Sequence, residues 1–478
     1  MRTRDKLERH FKSRPTAPAP RRTPASDPAT SPSESLYRLE RELLGQVATD
    51  DDALSVKERL ERLVAVTTKA HAEGSGKVPH EDPRRIVSLD EVLEGRRVEN
   101  ERGAFYQVDH RYPLDHWHGR TSLSRLKVVP PSAFSILARG NDELDISRAV
   151  FLDTETTGLT GGAGTCAFLV GLGFIEDDSF VVRQLFMRDY PEEEAMLHEL
   201  ANLLTGFESL VTFNGKTFDV PLLETRFVLS RLRFPLSELP HFDLLHPARS
   251  LWKARLDSCR LTDLEYVLLD FERDEDVPGE LIPSLYFDYV RTRDASRVFR
   301  VFTHNRYDIV SLAALTVRAS EMLDEDASPE HPIDDYSLGR LFERAALPER
   351  SMRHYSRAVE SGLSGPARRR SLRQLAQQLK RRHQGEESVS VWKELTSDEG
   401  PEAVEAMEEL AKHLEHRERD FAGALAYCQD AITRVEEDTR LPLALRERWR
   451  ESLRHRRRRL LRKDKAHRGN PVKGPLID

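Results

Sequence analysis

The chain has 478 residues, too many for one hydrophobic core, so several domains are expected, with ample length for a buried sheet. Its 74 Lys and Arg against 81 Asp and Glu leave a net charge of −7, which excludes a uniformly basic nucleic-acid binder; between Arg440 and Arg468, however, 13 Lys or Arg and 3 Asp or Glu give that stretch alone +10. Cys166, Cys259 and Cys428 are far apart and odd in number, which argues against a disulfide framework or a thiolate zinc site and fits a reducing cytoplasm; no run approaches the ~18 apolar residues of a membrane span, and MRTRDKLERHFK lacks the apolar core of a secretory signal.

Residues 1–35 read as a disordered arm, because six prolines between Pro15 and Pro32 among Ser, Thr and Ala cannot bury enough apolar surface to offset ordering entropy. Over 36–85 the leucines at 36, 39, 43, 44, 54, 60 and 63 fit one or two amphipathic helices. The stretch 86–148 is aromatic and β-prone, and is expected to pack beside the next domain as irregular strands. Its His110, His116 and His118 carry no accompanying cysteine and are read as packing and hydrogen-bonding groups in preference to a metal cluster.

From residue 149 to 325 the pattern becomes β-β-β-α-β-α: strands at 149–153, 166–174 and 179–187, a helix over 191–205, a strand at 209–213 and a helix from about 217. Residues 326–439 read as short amphipathic helices joined by tight turns, with an imperfect period near the 34 residues of tetratricopeptide repeats. In the tail, 440–478, Leu445, Trp449 and Leu453 recur every four residues, so a helix packed on the last repeat is expected, with the run Arg456–Arg459 exposed beyond it. That run reads equally as a nucleic-acid contact or as a solvated charged helix or electrostatic latch onto the acidic body, with membrane-surface attachment a distant third.

Three stretches carry chemistry. In VFLDTETTGL, Asp153 and Glu155 are two apart and so share one face of an extended strand, offering hard oxygen ligands. Two unpaired carboxylates at a buried strand end cost several kcal/mol unless a cation or hydrogen bonds compensate. The bland alternative is a solvated strand-to-turn junction. In VTFNGKTFDVPLL a strand ends at Asn214-Gly215 and the next helix carries Asp219 in its first turn; in HNRYDIVSL, His304 and Asp308 are four apart on one helical face. Asp243 in HFDLLH supports the site, caps a backbone or pairs with Arg249, and Cys259 reads as a core residue.

Taken in this order, the three stretches resemble the DEDD superfamily of ribonuclease H-like 3′-5′ exonucleases, and most closely its bacterial YprB-type family. FNGKTFDVPLLETRF, HFDLLHPARSLW, SCRLTDLE, VPGELIPSLYFDYV and HNRYDIVSLAAL look like that family's landmarks and extend the resemblance over roughly 90–325. It implies an α/β ribonuclease H-like nuclease domain, a mixed sheet flanked by helices, followed by an all-α helical-repeat domain. It further implies a two-metal Mg²⁺ or Mn²⁺ hydrolysis of single-stranded DNA or RNA from a 3′ end. Asp153 is then the bridging ligand, Glu155 and Asp308 complete the tighter site, Asp219 reaches a metal directly or through water, and His304 is the general base. Thr156, Thr157, Gly158 and Asn214 approach the terminal nucleotide. One departure stands out: His304 lies at the spacing that the superfamily gives to a tyrosine, while Tyr307 is adjacent to Asp308 and points elsewhere. The rival readings are a scaffold that binds nucleic acid or a protein partner through its helical repeats, and a phosphohydrolase of small nucleotides.

Overall fold

A computed structural model describes residues 85–138, 143–158 and 164–468; the arm expected over 1–35, and all but the last residue of the helical segment expected over 36–85, lie outside them. A short helix α1 (Leu89–Val92) leads into a hairpin of β1 (Gly95–Asn100) and β2 (Gly103–Pro113). Two-residue strands β3 (Trp117–His118) and β4 (Thr121–Ser122) pair with each other, and α2 (Ser132–Ala138) follows. Next come β5 (Ala149–Thr156), β6 (Ala167–Glu176), β7 (Ser179–Phe186), α3 (Glu193–Leu204), β8 (Ser209–Thr212), α4 (Asp219–Leu229), β9 (His241–Asp243) and α5 (Leu245–Trp252). The domain closes with α6 (Leu261–Leu264), extended by a π-helical turn over Glu265–Leu269, then α7 (Ile282–Thr292) and α8 (Phe299–Glu321).

The strands form one seven-stranded sheet in the order β1-β2-β7-β6-β5-β8-β9, with β5, β8 and β9 parallel and the remaining pairs antiparallel. This is the mixed, helix-flanked ribonuclease H-like sheet. Alternation along β5 divides its side chains between two cores: Val150 and Leu152 enter one with Leu200, Leu223 and Tyr286, and Phe151 enters the other with Phe242, Trp252 and Ile309. Both sheet faces are therefore buried, which accounts for the apolar run over 149–152 of β5 and the longer one of β6.

The stretch 86–148 is more regular than its sequence suggests. Strand β2 pairs with β7 from Tyr106↔Phe186 to Pro113↔Ser179, so the hairpin extends the sheet and covers what would be an open apolar edge. The new edge, β1, carries Arg96, Arg97 and Glu99, charges that discourage further strand addition.

Among the described residues seven α-helices follow: α9 (Pro332–Arg344), α10 (Pro348–Glu360), α11 (Gly365–Arg381), α12 (Gly385–Leu395), α13 (Pro401–His413), α14 (Phe421–Glu437) and α15 (Leu443–Arg468). Pairs start at 332, 365 and 401, and their second members at 348, 385 and 421, spacings of 33 to 37 residues. The first two pairs close alike: Ser351 Oγ donates to Gly339 O at 3.0 Å, and Ser388 Oγ donates to Ala376 O at 2.9 Å. A Cβ on Gly339 would lie 2.6 Å from the Tyr355 ring, so the helices of the first pair touch there only because residue 339 is glycine. Helix α9 also belongs to the core beneath the sheet, contributing Leu338, Leu341 and Phe342 beside Leu251 and Trp252.

The tail helix α15 packs Leu453 and Leu460 into the last repeat, with Trp449 partly buried against the same cluster. The arginine run is not wholly exposed, as its sequence suggests: Arg456 and Arg459, with Lys463, converge at 2.7 to 2.9 Å on the fully buried Glu415. Residues three and four apart share a helical face, as Arg456, Arg459 and Lys463 do, so Arg457 and Arg458 between them remain exposed. Among the described residues no helix is long and apolar enough to cross a membrane.

Candidate active site

The site forms at the C-terminal end of β5, where Asp153 and Glu155 continue the face that carries Phe151. The facing strand β6 puts Gly171 opposite Asp153 and Gly173 opposite Phe151. A Cβ at Gly171 would lie 2.2 Å from Asn305 Oδ1, and one at Gly173 2.4 Å from Ile309 Cγ2. The two glycines thus let α8 lie directly on the sheet, close enough for its polar residues to reach β5. Asn305 Nδ2 donates to Asp153 Oδ2 at 2.9 Å, and its own Oδ1 accepts from Gln184 Nε2 at 2.9 Å. Gln184 and Asn305 are both completely buried, so this chain of amides fixes the Asp153 carboxylate from behind.

One turn of α8 carries His304, Asn305 and Asp308. Glu155, His304 and Asp308 each offer a ligand atom, and these atoms lie within 4.8 Å of one another. Asp219, the first residue of α4, arrives from the opposite side and accepts from Thr154 Oγ1 at 2.5 Å. Its place at a helix N-terminus suits a carboxylate. The structure thus brings all four acids and His304 together.

Their charges are not balanced. Arg273 donates to Glu265 at 2.6 and 2.7 Å, lies 3.1 Å from Asp276, and also pairs with Asp308. His304 Nδ1 is 2.7 Å from Asp276 Oδ1, and its Nε2 is 3.4 Å from Asp308 Oδ2. An ionised carboxylate only accepts, so the ring donates from Nδ1 and turns Nε2 towards the acids. With every group ionised, six carboxylates face two cations, a formal −4. Burial holds Asp153 well above the usual carboxylate range, with Asp308, Glu155 and Asp219 adding to it. Burial likewise pushes Glu155 up to about 8, reinforced by Asp308, Asp219 and Asp276 against His304, and Asp219 to about 6. Although burial works against its charge, the bond to Asp276 and the charges of Asp308 and Glu155 raise His304 to about 9.

Glu155 Oε1 is buried with no hydrogen-bond partner. A buried, unpartnered carboxylate oxygen among like charges is the donor set of a hard divalent cation, and the residues present fit one. Asp153, Glu155, Asp219 and Asp308 would hold it.

Asn214 has φ +68°, and the turn it opens is pinned by Asp243, which accepts from the backbone N–H of Asn214 at 2.8 Å, Lys216 at 3.1 Å and Leu245 at 3.1 Å. Asp243 is thus a backbone anchor that sets Asn214 in the cleft beside Asp153. At the end of β5, Thr156 Oγ1 donates to Gly158 O at 2.8 Å and Thr157 Oγ1 accepts from Cys166 N–H at 3.0 Å, so both hydroxyls hold the turn itself. Tyr307 points away: its hydroxyl is 3.5 Å from Asp274 O and its ring lies against Phe271. The three histidines of 86–148 do not converge. His118 is buried, 2.7 Å from Ser311 Oγ and against the Phe271 ring; His110 lies 3.5 Å from Arg306, and His116 packs on Tyr112. Burial lowers His118 to about 3 and His110 to about 4.

Sequence reasoning missed Arg273, Asp276, Glu265, Gln184 and Asn305. Asn305 left a trace, an amide on the largely apolar buried side of its helix; Arg273 and Asp276 lie in an irregular charged loop that no period marks.

A family model of the RNase_H superfamily matches residues 150–320, the span from β5 to the end of α8. The protein YprB of Bacillus subtilis (strain 168) is 33% identical over 331 residues, which cover 67% of this chain and 79% of that protein. A nuclease-type fold implies a nucleic-acid substrate, and the acidic cluster lies within the matched span.

Proposed function

Because this chain belongs to the YprB family within the ribonuclease H superfamily, we propose that it is a metal-dependent 3′-5′ exonuclease acting on single-stranded DNA or RNA. The observation that carries the reading is the unpartnered, buried Glu155 oxygen inside a cluster whose carboxylates outnumber its cations. Two divalent cations, Mg²⁺ or Mn²⁺, held by Asp153, Glu155, Asp219 and Asp308 would supply the positive charge that stabilises the attacking and leaving oxygens of an in-line displacement.

The chain's own residues do the rest. Asn305 and Gln184 hold Asp153 in place, and Thr154 holds Asp219. Asp276 accepts from Nδ1–H of His304; with the Asp308 and Glu155 charges that hold the ring protonated offset by bound cations, the neutral imidazole would have Nε2 free to take a proton from the attacking water. Water oxygen bonds to phosphorus as the P–O3′ bond breaks, the 3′-oxygen left on the shortened strand takes a proton from solvent, and the terminal nucleotide is released as a 5′-monophosphate. The turn that carries Asn214 borders the cleft where that nucleotide sits, with Thr156, Thr157 and Gly158 at the end of β5.

The test is an incubation with 5′- and 3′-end-labelled DNA and RNA oligonucleotides, and separately with free nucleotides, with and without Mn²⁺. Wild type should shorten 5′-labelled strands stepwise only with the metal, and Asp153→Asn should not. Turnover of free nucleotides alone, or activity of Asp153→Asn close to wild type, sinks the reading.

A further inference from the structure

Three cavities run end to end from the acidic cluster to the inner side of the helical array. The first is the cleft beside Asp153 and Asp308, whose far wall carries Arg249, Lys253 and Arg260. Arg249 also lines the second, with His246, Arg340 and Arg344. Arg340 and Arg344 in turn line the third, beside Arg370 and Arg373. Each cavity thus shares at least one arginine with the next, so the three adjoin in a row.

Charge changes sign along it. The middle cavity is lined by three arginines and no acid, and these cations come from two separate helices: Arg249 from α5 of the nuclease domain, Arg340 and Arg344 from α9. Both helices are anchored in the same core, so the clustering is built into the fold and not a chance meeting of mobile side chains. All three arginines are exposed, and Arg249 and Arg340 reach no carboxylate among the described residues. A cavity lined by cations and no acid has a positive local potential, which favours an anionic ligand. In the third cavity the positive charge fades, because Arg373 pairs with Glu405 at 2.6 Å and Arg370 approaches Glu402 at 4.0 Å. There Trp449 and Leu445 of α15 supply apolar surface.

We propose that this row forms a channel for the single-stranded part of a nucleic-acid substrate, its phosphates passing from Arg340 and Arg344 over Arg249 to the carboxylates, so that the helices after α8 hold substrate. The proposal rests on the reading of the cluster as a phosphodiester-hydrolysing site, because the channel opens onto it. A strand has phosphates at regular intervals to meet successive arginines, and aromatic surface at the far end suits unstacked bases.

The experiment measures binding of a labelled oligothymidylate of about 16 nucleotides to the full chain in EDTA, by anisotropy over a range of salt. It compares wild type, Arg340→Ala/Arg344→Ala, and Arg457→Ala/Arg458→Ala on the outward face of α15. Each phosphate neutralised contributes about −0.7 to the slope of log K against log salt. The channel variant should therefore flatten the slope by about 1.4, with an unchanged melting temperature, and the α15 variant should leave it as in wild type. An equal slope in the channel variant, an equal loss in both variants, or displacement of the strand by polyglutamate as efficiently as by unlabelled strand overturns the proposal. Mn²⁺-dependent cleavage by wild type is scored separately. Cleavage without the slope change removes the channel and keeps the nuclease, whereas the slope change without cleavage does the reverse.

Discussion

Glu155→Gln tests the electrostatics of the acidic cluster without reference to activity. Glu155 is buried, and its carboxyl is raised from 4.5 to about 8 in the folded chain. A folded state that holds a proton the unfolded state has released loses stability as pH rises through that interval. Asp219, raised to about 6, acts with the same sign at lower pH. His304, raised to about 9, contributes stability that is complete below its ordinary value and is lost as pH climbs through 9, so it also acts in the same direction. In EDTA the wild type should therefore weaken steadily from pH 5 upward. One proton held only by the folded state is worth about 1.4 kcal/mol for every pH unit climbed, so Glu155 alone removes about 2 kcal/mol between about pH 6 and pH 8. The neutral amide of Glu155→Gln has no proton to lose, so the two unfolding curves should converge or cross across that interval. Denaturant or thermal melts at several pH values, each in EDTA and in excess Mn²⁺, measure this directly. Saturating Mn²⁺ should remove the wild type's pH slope by binding the folded state, and stabilise the variant much less. A parallel pH dependence for wild type and variant in EDTA would refute the picture of an uncompensated buried carboxylate.

Gly171→Ala should destabilise by about 1–3 kcal/mol through overpacking and lower turnover, because the new Cβ displaces the Asn305 amide that holds Asp153; melting and Mn²⁺-dependent cleavage check it. His304→Ala should reduce turnover by about 10²–10⁴-fold and remove the lower limb of the pH-rate profile, while Asp276→Asn should lose less and shift that limb to lower pH as the imidazolium loses its partner; full turnover with an unchanged profile in His304→Ala takes the base role from this residue. Removing residues 454–478 strips Arg456, Arg459 and Lys463 from the buried Glu415, and should cost about 3 kcal/mol of stability while leaving the salt slope for oligonucleotide binding unaltered; a flattened slope would instead make the tail a substrate contact.

What was legible in the sequence was whatever local geometry repeats. The two-residue period of a strand puts Asp153 and Glu155 on one face wherever that strand lies, and the helical period does the same for His304 and Asp308. The short helices after residue 326 declared themselves by the same means, as amphipathic segments broken by tight turns. Sequence could not show that β1 and β2 complete the sheet edge, because strand pairing at β7 depends on which edge the rest of the sheet leaves open. Nor could it show that α9 belongs to the core beneath the sheet, since an amphipathic face does not name its partner.

The site's balance was decided by tertiary structure alone. Asp153 and Asn305 are 152 positions apart, and they meet because Gly171 and Gly173 leave room for α8 on a sheet whose order places β6 beside β5. Arg273 and Asp276 sit in a loop with no periodicity, yet they determine how much of the cluster's charge is cancelled and which nitrogen of His304 faces the acids. The arginine run of the tail is the converse case. Its composition was plain, but its role turned on a single buried acid, Glu415, that only the packed helices bring beneath it. Composition counts charges, whereas the free energy of each depends on what the fold sets within a few ångströms of it.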